Sequence, residues 1–182
     1  MVQLLKIAVW NANGLCQHAL EIKLFLQTFN LDIILVSETH LTNRSYITVP
    51  NYNTYYTNHP DETAHGGTAV IIRQNIKHYV RAEYIHKNIK ATSIAIEDNT
   101  GETTVSARCC PPKHHNKYDD YGRFFKSLGN RFIDGGDYNA KNTLWGSRLT
   151  ATKGKELHKV MKTNSLKHTP FNKTTHLVAK RS

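Results

Sequence analysis

The chain lacks any apolar run long enough to cross a bilayer: its densest stretch, Ile33-Ile34-Leu35-Val36, falls far short of the roughly twenty residues a spanning helix needs. Cysteine is scarce. Cys16, Cys109 and Cys110 are odd in number and show no C-x-x-C spacing, which argues against a disulfide framework or a zinc knuckle. A reducing, intracellular setting is the simplest expectation. Met1 to Lys6 show no basic segment followed by a long apolar one, so no secretory leader is expected. Neither G-x-G-x-x-G nor a P-loop occurs, and no repeat or low-complexity segment stands out. With 182 residues and 39% hydrophobic content, what remains is one folded domain with a real core.

Acid is also short, and unevenly so. Residues 138–182 carry only Glu156 against 10 Lys and Arg, a balance of +9, whereas residues 1–137 carry 13 acids against 14 bases. Such asymmetry favours a polyanion partner, because neutralising phosphates releases counterions; a solvated basic face or tail is the alternative.

Leu4 to Trp10 reads as a buried strand, Gln17 to Phe29 as a helix with Leu20, Leu24, Phe25 and Phe29 at near-helical spacing, and Leu31 to Ser37 as a second buried strand. That order predicts a βαβ unit with parallel strands. Asn51 to Asn58, rich in Tyr and Asn, suggests irregular surface structure. Strands are expected at Thr68 to Arg73, Tyr79 to Ile85, Ala91 to Glu97 and Thr103 to Arg108, with a hairpin at Asp98-Asn99-Thr100-Gly101. Tyr118 to Leu128 and Thr152 to Asn164 read as helices, the second with Thr152 as N-cap, and Arg131 to Ile133 as a short strand. The series suits a layered α/β protein with mixed sheets better than a Rossmann fold.

Three polar residues follow strand candidates: Asn11, Glu38 and Asp137. Carboxyl ends of strands are where α/β sheets place ligands. A carboxylate there suits a hard cation such as Mg²⁺, making Glu38 the candidate metal ligand; a solvent-exposed acid is the alternative. In Gly135-Gly136-Asp137-Tyr138-Asn139 the glycines permit close backbone approach, and Asp137 and Asn139 can share a face of an extended segment. Asp137 could then orient and deprotonate water while Asn139 donates to a phosphate oxygen; a simple Gly-Asp-Asn turn is the competing reading.

Four segments occur in order: Trp10-Asn11-Ala12-Asn13-Gly14-Leu15, Ser37-Glu38-Thr39-His40, His65-Gly66-Gly67-Thr68-Ala69-Val70 and Gly136-Asp137-Tyr138-Asn139-Ala140-Lys141. Together they resemble the endonuclease/exonuclease/phosphatase superfamily, in particular the apurinic-endonuclease-like domain of jockey-type non-LTR retrotransposons. Asn142-Thr143-Leu144-Trp145-Gly146-Ser147-Arg148 resembles the segment that follows the Gly-Asp-x-Asn motif in those elements.

The resemblance implies an α/β fold of two mixed sheets in a β-sandwich flanked by helices, spanning residues 1–170 with the last strands missing, and a basic tail at 171–182 without family signature. It implies Mg²⁺, with Mn²⁺ as a substitute, held by Glu38 and Asn11; catalysis by Asp137, Asn139 and Asn11; and phosphate contacts from Asn139, Asn13 and Arg148. The implied reaction is hydrolysis of one DNA strand to leave a 3′-hydroxyl that primes reverse transcription. DNA and a reverse transcriptase domain in the parent polyprotein are the implied partners, with the nucleus as location and neither membrane nor small-molecule cofactor expected.

The chain departs from the pattern at two places. Cys109 stands where the family usually has Tyr, and a thiol is a poor donor with a short reach. The family also expects a further Asp and a closing Ser-Asp-His, whereas no Asp follows Asp137 and none of His158, His168 and His176 follows an Asp. Low activity is therefore expected. A basic remnant that only binds nucleic acid, and a superfamily phosphatase acting on small phosphorylated lipids or sugars, are the alternatives.

Overall fold

The computed structural model describes residues 4–61, 63–98, 101–170 and 176–181. The apolar run that opens the chain forms β1 (Ile7–Asn11), which lies parallel to β2 (Ile33–Ser37). A short 3₁₀ turn and α1 (Ala19–Thr28) cross between them, as the βαβ reading predicts. Two antiparallel strands, β4 (Thr68–Arg73) and β3 (Tyr52–Thr57), complete a sheet of order β1-β2-β4-β3. The second sheet has the order β10-β11-β9-β8-β7-β5, with β6 also paired to β7. Its strands are β5 (His78–Val80), β6 (Tyr84–His86), β7 (Ile89–Asp98), β8 (Gly101–Cys109), β9 (Phe132–Asp137), β10 (Lys167–Pro170) and β11 (His176–Arg181). Only β8 and β9 run parallel in it, so both sheets are mixed.

Period-two alternation stacks the sheets. Ile33, Leu35, Val70 and Ile72 of the first sheet meet Ile94, Ile96, Val105 and Ala107 of the second. The intervening residues Ile34, Val36, Ala69 and Ile71 turn outward to pack with Ile22 and Leu26 of α1. The far face of the second sheet is covered by α2 (Tyr118–Ser127) and α3 (Thr152–Thr163), through Phe124, Phe125, Leu157, Val160 and Met161. The result is a sandwich of two sheets flanked by helices. No helix among the described residues is long and apolar enough to cross a membrane.

Several local expectations are corrected. On α1, Leu20, Leu24, Phe25 and Phe29 at its end are exposed, and the buried pair is Ile22 and Leu26. Both sets satisfy i, i+4 spacing, and the seating of the helix on β1 and β2 selects between them. β1 is half-buried because it edges its sheet. The Tyr- and Asn-rich segment is β3 rather than irregular, since Tyr and Thr suit a pleated edge and the Tyr52 hydroxyl donates to the Leu31 carbonyl at 2.6 Å. The expected strand at Tyr79 to Ile85 is split into β5 and β6. The N-cap of α3 is Ala151, not Thr152. β7 and β8 pair through Asp98 and Gly101 as a hairpin, and the turn residues Asn99 and Thr100 lie outside the described residues. The strand expected at Arg131 to Ile133 is β9, which continues through Gly135 and Gly136 to Asp137. Beyond residue 170, residues 171–175 and 182 lie outside the described residues, and His176–Arg181 runs antiparallel to β9 with His176 in register with Asp137.

Candidate functional site

β1 and β2 end together, with Asn11 in register with Ser37; β8 and β9 end together, with Cys109 in register with Asp137. The two pairs of ends meet because Gly135 admits them: a Cβ there would sit 2.6 Å from Val9 Cγ2 and 2.9 Å from Leu35 Cδ1. At Gly136 a Cβ would run into the Arg108 carbonyl on the neighbouring strand. The glycine pair is thus a packing requirement that brings Asp137 up to the other sheet.

Glu38 leaves β2 with φ 54°, and His40 follows at φ 52°; Asn13 (43°) and Asn139 (46°) share this left-handed conformation. It costs a residue with an ordinary side chain about 1–2 kcal/mol, and such strain gathers at sites the surroundings over-determine. Here the clamps are visible. The amides of Ala12, Gly14 and Leu15 donate to the carbonyls of Ser37, Glu38 and Thr39 at 2.9, 2.9 and 2.8 Å. From the other side, the His40 amide donates to the Gly66 carbonyl at 2.9 Å. A Cβ on Gly67 would collide with Thr39 Oγ1, which accounts for the glycine before Thr68.

Glu38 opens on a cavity of about 240 Å³ that is also lined by His40, His59, His65, Lys90 and Cys109. The Cys109 thiol is 4% exposed. Burial, then the neighbouring Cys110, Glu38 and Asp137, push its pKa up to about 12 against a partial offset from Arg108. Glu38 shares the cavity with Cys109, and Asp137 is the register partner of Cys109 on β9. Asp137 Oδ1 accepts the Asn139 amide at 2.7 Å, and Asn139 Nδ2 donates to the Cys110 carbonyl at 3.0 Å. Asn11 Oδ1 accepts the Asn13 amide at 3.1 Å. Asn11, Glu38, Cys109, Asp137 and Asn139 therefore gather at one end of the sandwich. Asn13 is an exposed turn residue beside them, while Arg148 is exposed in the bend after the 3₁₀ turn Thr143–Trp145. That turn is structural: Trp145 is 6% exposed in the core, and Asn142 Oδ1 caps it by accepting the Leu144 amide at 3.0 Å.

Four functional features escape sequence reasoning. Arg108 and Asp134 form an ion pair at 2.9 Å with both side chains 0% exposed. The Tyr138 hydroxyl donates to the same carboxylate at 2.7 Å, and Arg108 Nη1 donates to the Asp137 carbonyl at 3.0 Å. Lys90, in register with Cys109, lines the cavity, and burial holds its pKa below the ordinary lysine value. Lys153 is buried too, its Nζ donating to the Pro111 carbonyl at 2.8 Å. The fourth is a cluster of His59, Asp61 and His65. A charged residue at or directly after an expected strand, Arg108 closing Thr103 to Arg108 and Asp134 following Arg131 to Ile133, was the available signal.

Two stacked mixed sheets with polar residues gathered where β1, β2, β8 and β9 end define the DNase I-like class of fold. The chain belongs to the Endonuclease/Exonuclease/phosphatase family, matched over residues 8–181. Among its relatives, the RNA-directed DNA polymerase from mobile element jockey of Drosophila melanogaster is 36% identical over 157 residues, covering 86% of this chain and 17% of that protein. The protein of the same description from Drosophila funebris is 34% identical over 86% of this chain, again 17% of its own length. The chain thus spans under a fifth of these curated relatives. Among solved structures, the endonuclease domain of TRAS1, a telomere-specific non-LTR retrotransposon, matches with a TM-score of 0.71 and 18% identity over 97% of this chain and 84% of that one. The AP endonuclease LMAP from Leishmania major matches at 0.68 and 10% identity over 90% of this chain and 67% of that one. At those identities the likeness is one of fold.

Proposed function

We propose that this chain is the DNA-cutting part of a retrotransposon protein: a Mg²⁺-dependent endonuclease that hydrolyses one phosphodiester and leaves a 3′-hydroxyl for the parent protein's reverse transcriptase to extend. The observation that carries the reading is that Glu38 and Cys109 line one cavity while Asp137, on the other sheet from Glu38, is the register partner of Cys109. The jockey relatives, described as RNA-directed DNA polymerases, support the partner. A chromosomal DNA target would put the activity in the nucleus.

The donors suit a hard cation. Glu38 offers a carboxylate and Asn11 an amide oxygen, the kind of ligand Mg²⁺ or Mn²⁺ takes. When bound, the ion supplies Lewis-acid polarisation of the phosphoryl oxygen. The chain's own residues do the rest. Asp137 orients the attacking water and accepts its proton. Asn139 commits one amide hydrogen to the Cys110 carbonyl, and its second donates to a phosphate oxygen. Lys90 brings an ammonium group to the same cavity.

The competing reading, a DNA binder that does not cut, is favoured by the thiol at Cys109. A thiol donates poorly to a phosphate oxygen, so the chain is expected to nick slowly. The test is nicking of supercoiled plasmid with Mg²⁺, for the chain beside Asp137→Ala and Glu38→Gln. Slow nicking lost in both variants supports the enzyme; retention of DNA binding with nicking no greater than in Asp137→Ala supports the binder.

A further inference from the structure

The 240 Å³ cavity has an outer wall that the nuclease reading does not use. Two of its lining residues, His59 and His65, stand with Asp61 in a group whose ligating atoms all lie within 4.8 Å of one another. His59 Nδ1 is 2.5 Å from Asp61 Oδ1, and His65 Nε2 is 3.9 Å from Asp61 Oδ2. The imidazole rings are in contact, tilted by 44° with centroids 3.9 Å apart.

From these contacts we infer a transition-metal site of the Zn²⁺ class, formed by His59, Asp61 and His65 at the rim of the Glu38 cavity. The donor set decides the class: two imidazole nitrogens and one carboxylate suit Zn²⁺ or Co²⁺, whereas Mg²⁺ prefers oxygen alone. The spacing fits as well. Zinc–nitrogen and zinc–oxygen bonds of about 2.0–2.1 Å place tetrahedral donors roughly 3.3 Å apart; His59 and His65 stand 2.5 and 3.9 Å from the two oxygens of one Asp61 carboxylate, and all three donors lie within 4.8 Å of one another, so small side-chain rotations reach that spacing. An entering cation takes the place of the His59 Nδ1–Asp61 Oδ1 hydrogen bond, whose proton passes to solvent, and the two donors part by about an ångström.

The supporting groups are in place. Thr63 Oγ1 lies 2.5 Å from His65 Nδ1, which directs Nε2 toward Asp61, and it also donates to Asp61 Oδ1 at 2.6 Å. The Thr63 amide donates to the same oxygen at 3.0 Å. A hydrogen-bonded partner of this kind on a ligating His fixes the ring and its tautomer. The site is also tied to the strained turn: Gly66, next to His65, accepts the His40 amide two residues after Glu38. A cation there adds fixed positive charge at the wall of the cavity that Glu38 also lines, and three protein donors leave a fourth position open to water or to a phosphate oxygen.

The experiment is Co²⁺ titration of the purified chain, followed by visible d–d absorption, with Zn²⁺ competing. The expected result is saturation at one ion per chain, displacement by one equivalent of Zn²⁺ and no displacement by excess Mg²⁺. Asp61→Ala and His65→Ala should abolish the absorption, while Thr63→Val should weaken Zn²⁺ affinity roughly 10–100-fold. Asp61 and His65 have side chains 51% and 57% exposed, so their substitution leaves the fold intact, as far-UV circular dichroism would verify. Glu38→Gln should leave the absorption unchanged, which separates this site from the nuclease reading. Co²⁺ absorption that persists in Asp61→Ala and His65→Ala, or that vanishes in Glu38→Gln, would overturn it.

Discussion

Removing the Asp134 carboxylate should cost more than any surface change in the molecule. Asp134→Ala leaves the Arg108 guanidinium at 0% exposure without its carboxylate and takes the acceptor from the Tyr138 hydroxyl. Breaking a buried pair from one side costs about 3–5 kcal/mol, because the surviving charge cannot be rehydrated. Against a total stability of about 5–15 kcal/mol, that approaches unfolding. With a urea slope of about 2 kcal/mol per molar, the midpoint should fall by roughly 1.5–2.5 M. Arg108→Met alone should also destabilise, by stranding Asp134. Arg108→Met with Asp134→Leu removes both charges and should recover most of the loss, since apolar replacement of a buried pair is often neutral or stabilising. The double variant still loses the Arg108 bond to the Asp137 carbonyl, so its kcat for nicking should fall further than its stability does. Urea melts followed by tryptophan fluorescence complete the cycle. A cost below about 1 kcal/mol for Asp134→Ala, or a double variant as unstable as the two singles added together, would refute the argument that these charges hold each other in the core.

Burial and charge set the behaviour of the thiols and of the basic helix. Cys109, with its thiol pushed up to about 12, and buried Cys110 should resist iodoacetamide at neutral pH while exposed Cys16 reacts, read by peptide mass spectrometry. Because the folded pKa lies above the unfolded value of about 8.5, the contribution of Cys109 to stability is complete below that pH and declines as pH rises toward 12; Cys109→Ala should flatten the alkaline limb of a stability profile. DNA binding should weaken steeply with salt, each neutralised phosphate adding about 0.9 to the log–log slope. Lys153 is buried and bonded to a backbone carbonyl, so Lys153→Met should change stability but leave that slope intact, whereas Lys155→Ala and Lys162→Ala on exposed positions of α3 should each flatten it.

The strands legible in the sequence are those whose burial is decided locally. Ile33 to Val36 is apolar on both faces because β2 has a sheet partner on each side and packed layers above and below, and that composition is visible without knowing the partners. β3 is hidden because its burial is mixed and its pattern polar, as suits an edge. The exposed apolar face of α1 misleads for a related reason: helical periodicity reports which residues share a face, not which face has something to pack on.

The site divides along the same line. Glu38, Asp137 and Asn139 are legible as candidates because a carboxylate or amide just after a strand signal can reach a ligand crevice, although an exposed acid or a turn reads the same residues as well. The residues that hold them are not, since each is explained by a partner far along the chain. Gly67 is glycine because of Thr39, and Gly136 because of the Arg108 carbonyl. Asp134 is tolerated in a core strand because β8, reached only through α2 and the sheet register, sets Arg108 against it. Pairing is a property of the fold, so the sequence alone leaves Gly135-Gly136 equally readable as a turn. Once β8 and β9 lie parallel, a turn at that position is excluded, because both glycines carry the ladder that presents Asp137 at its end.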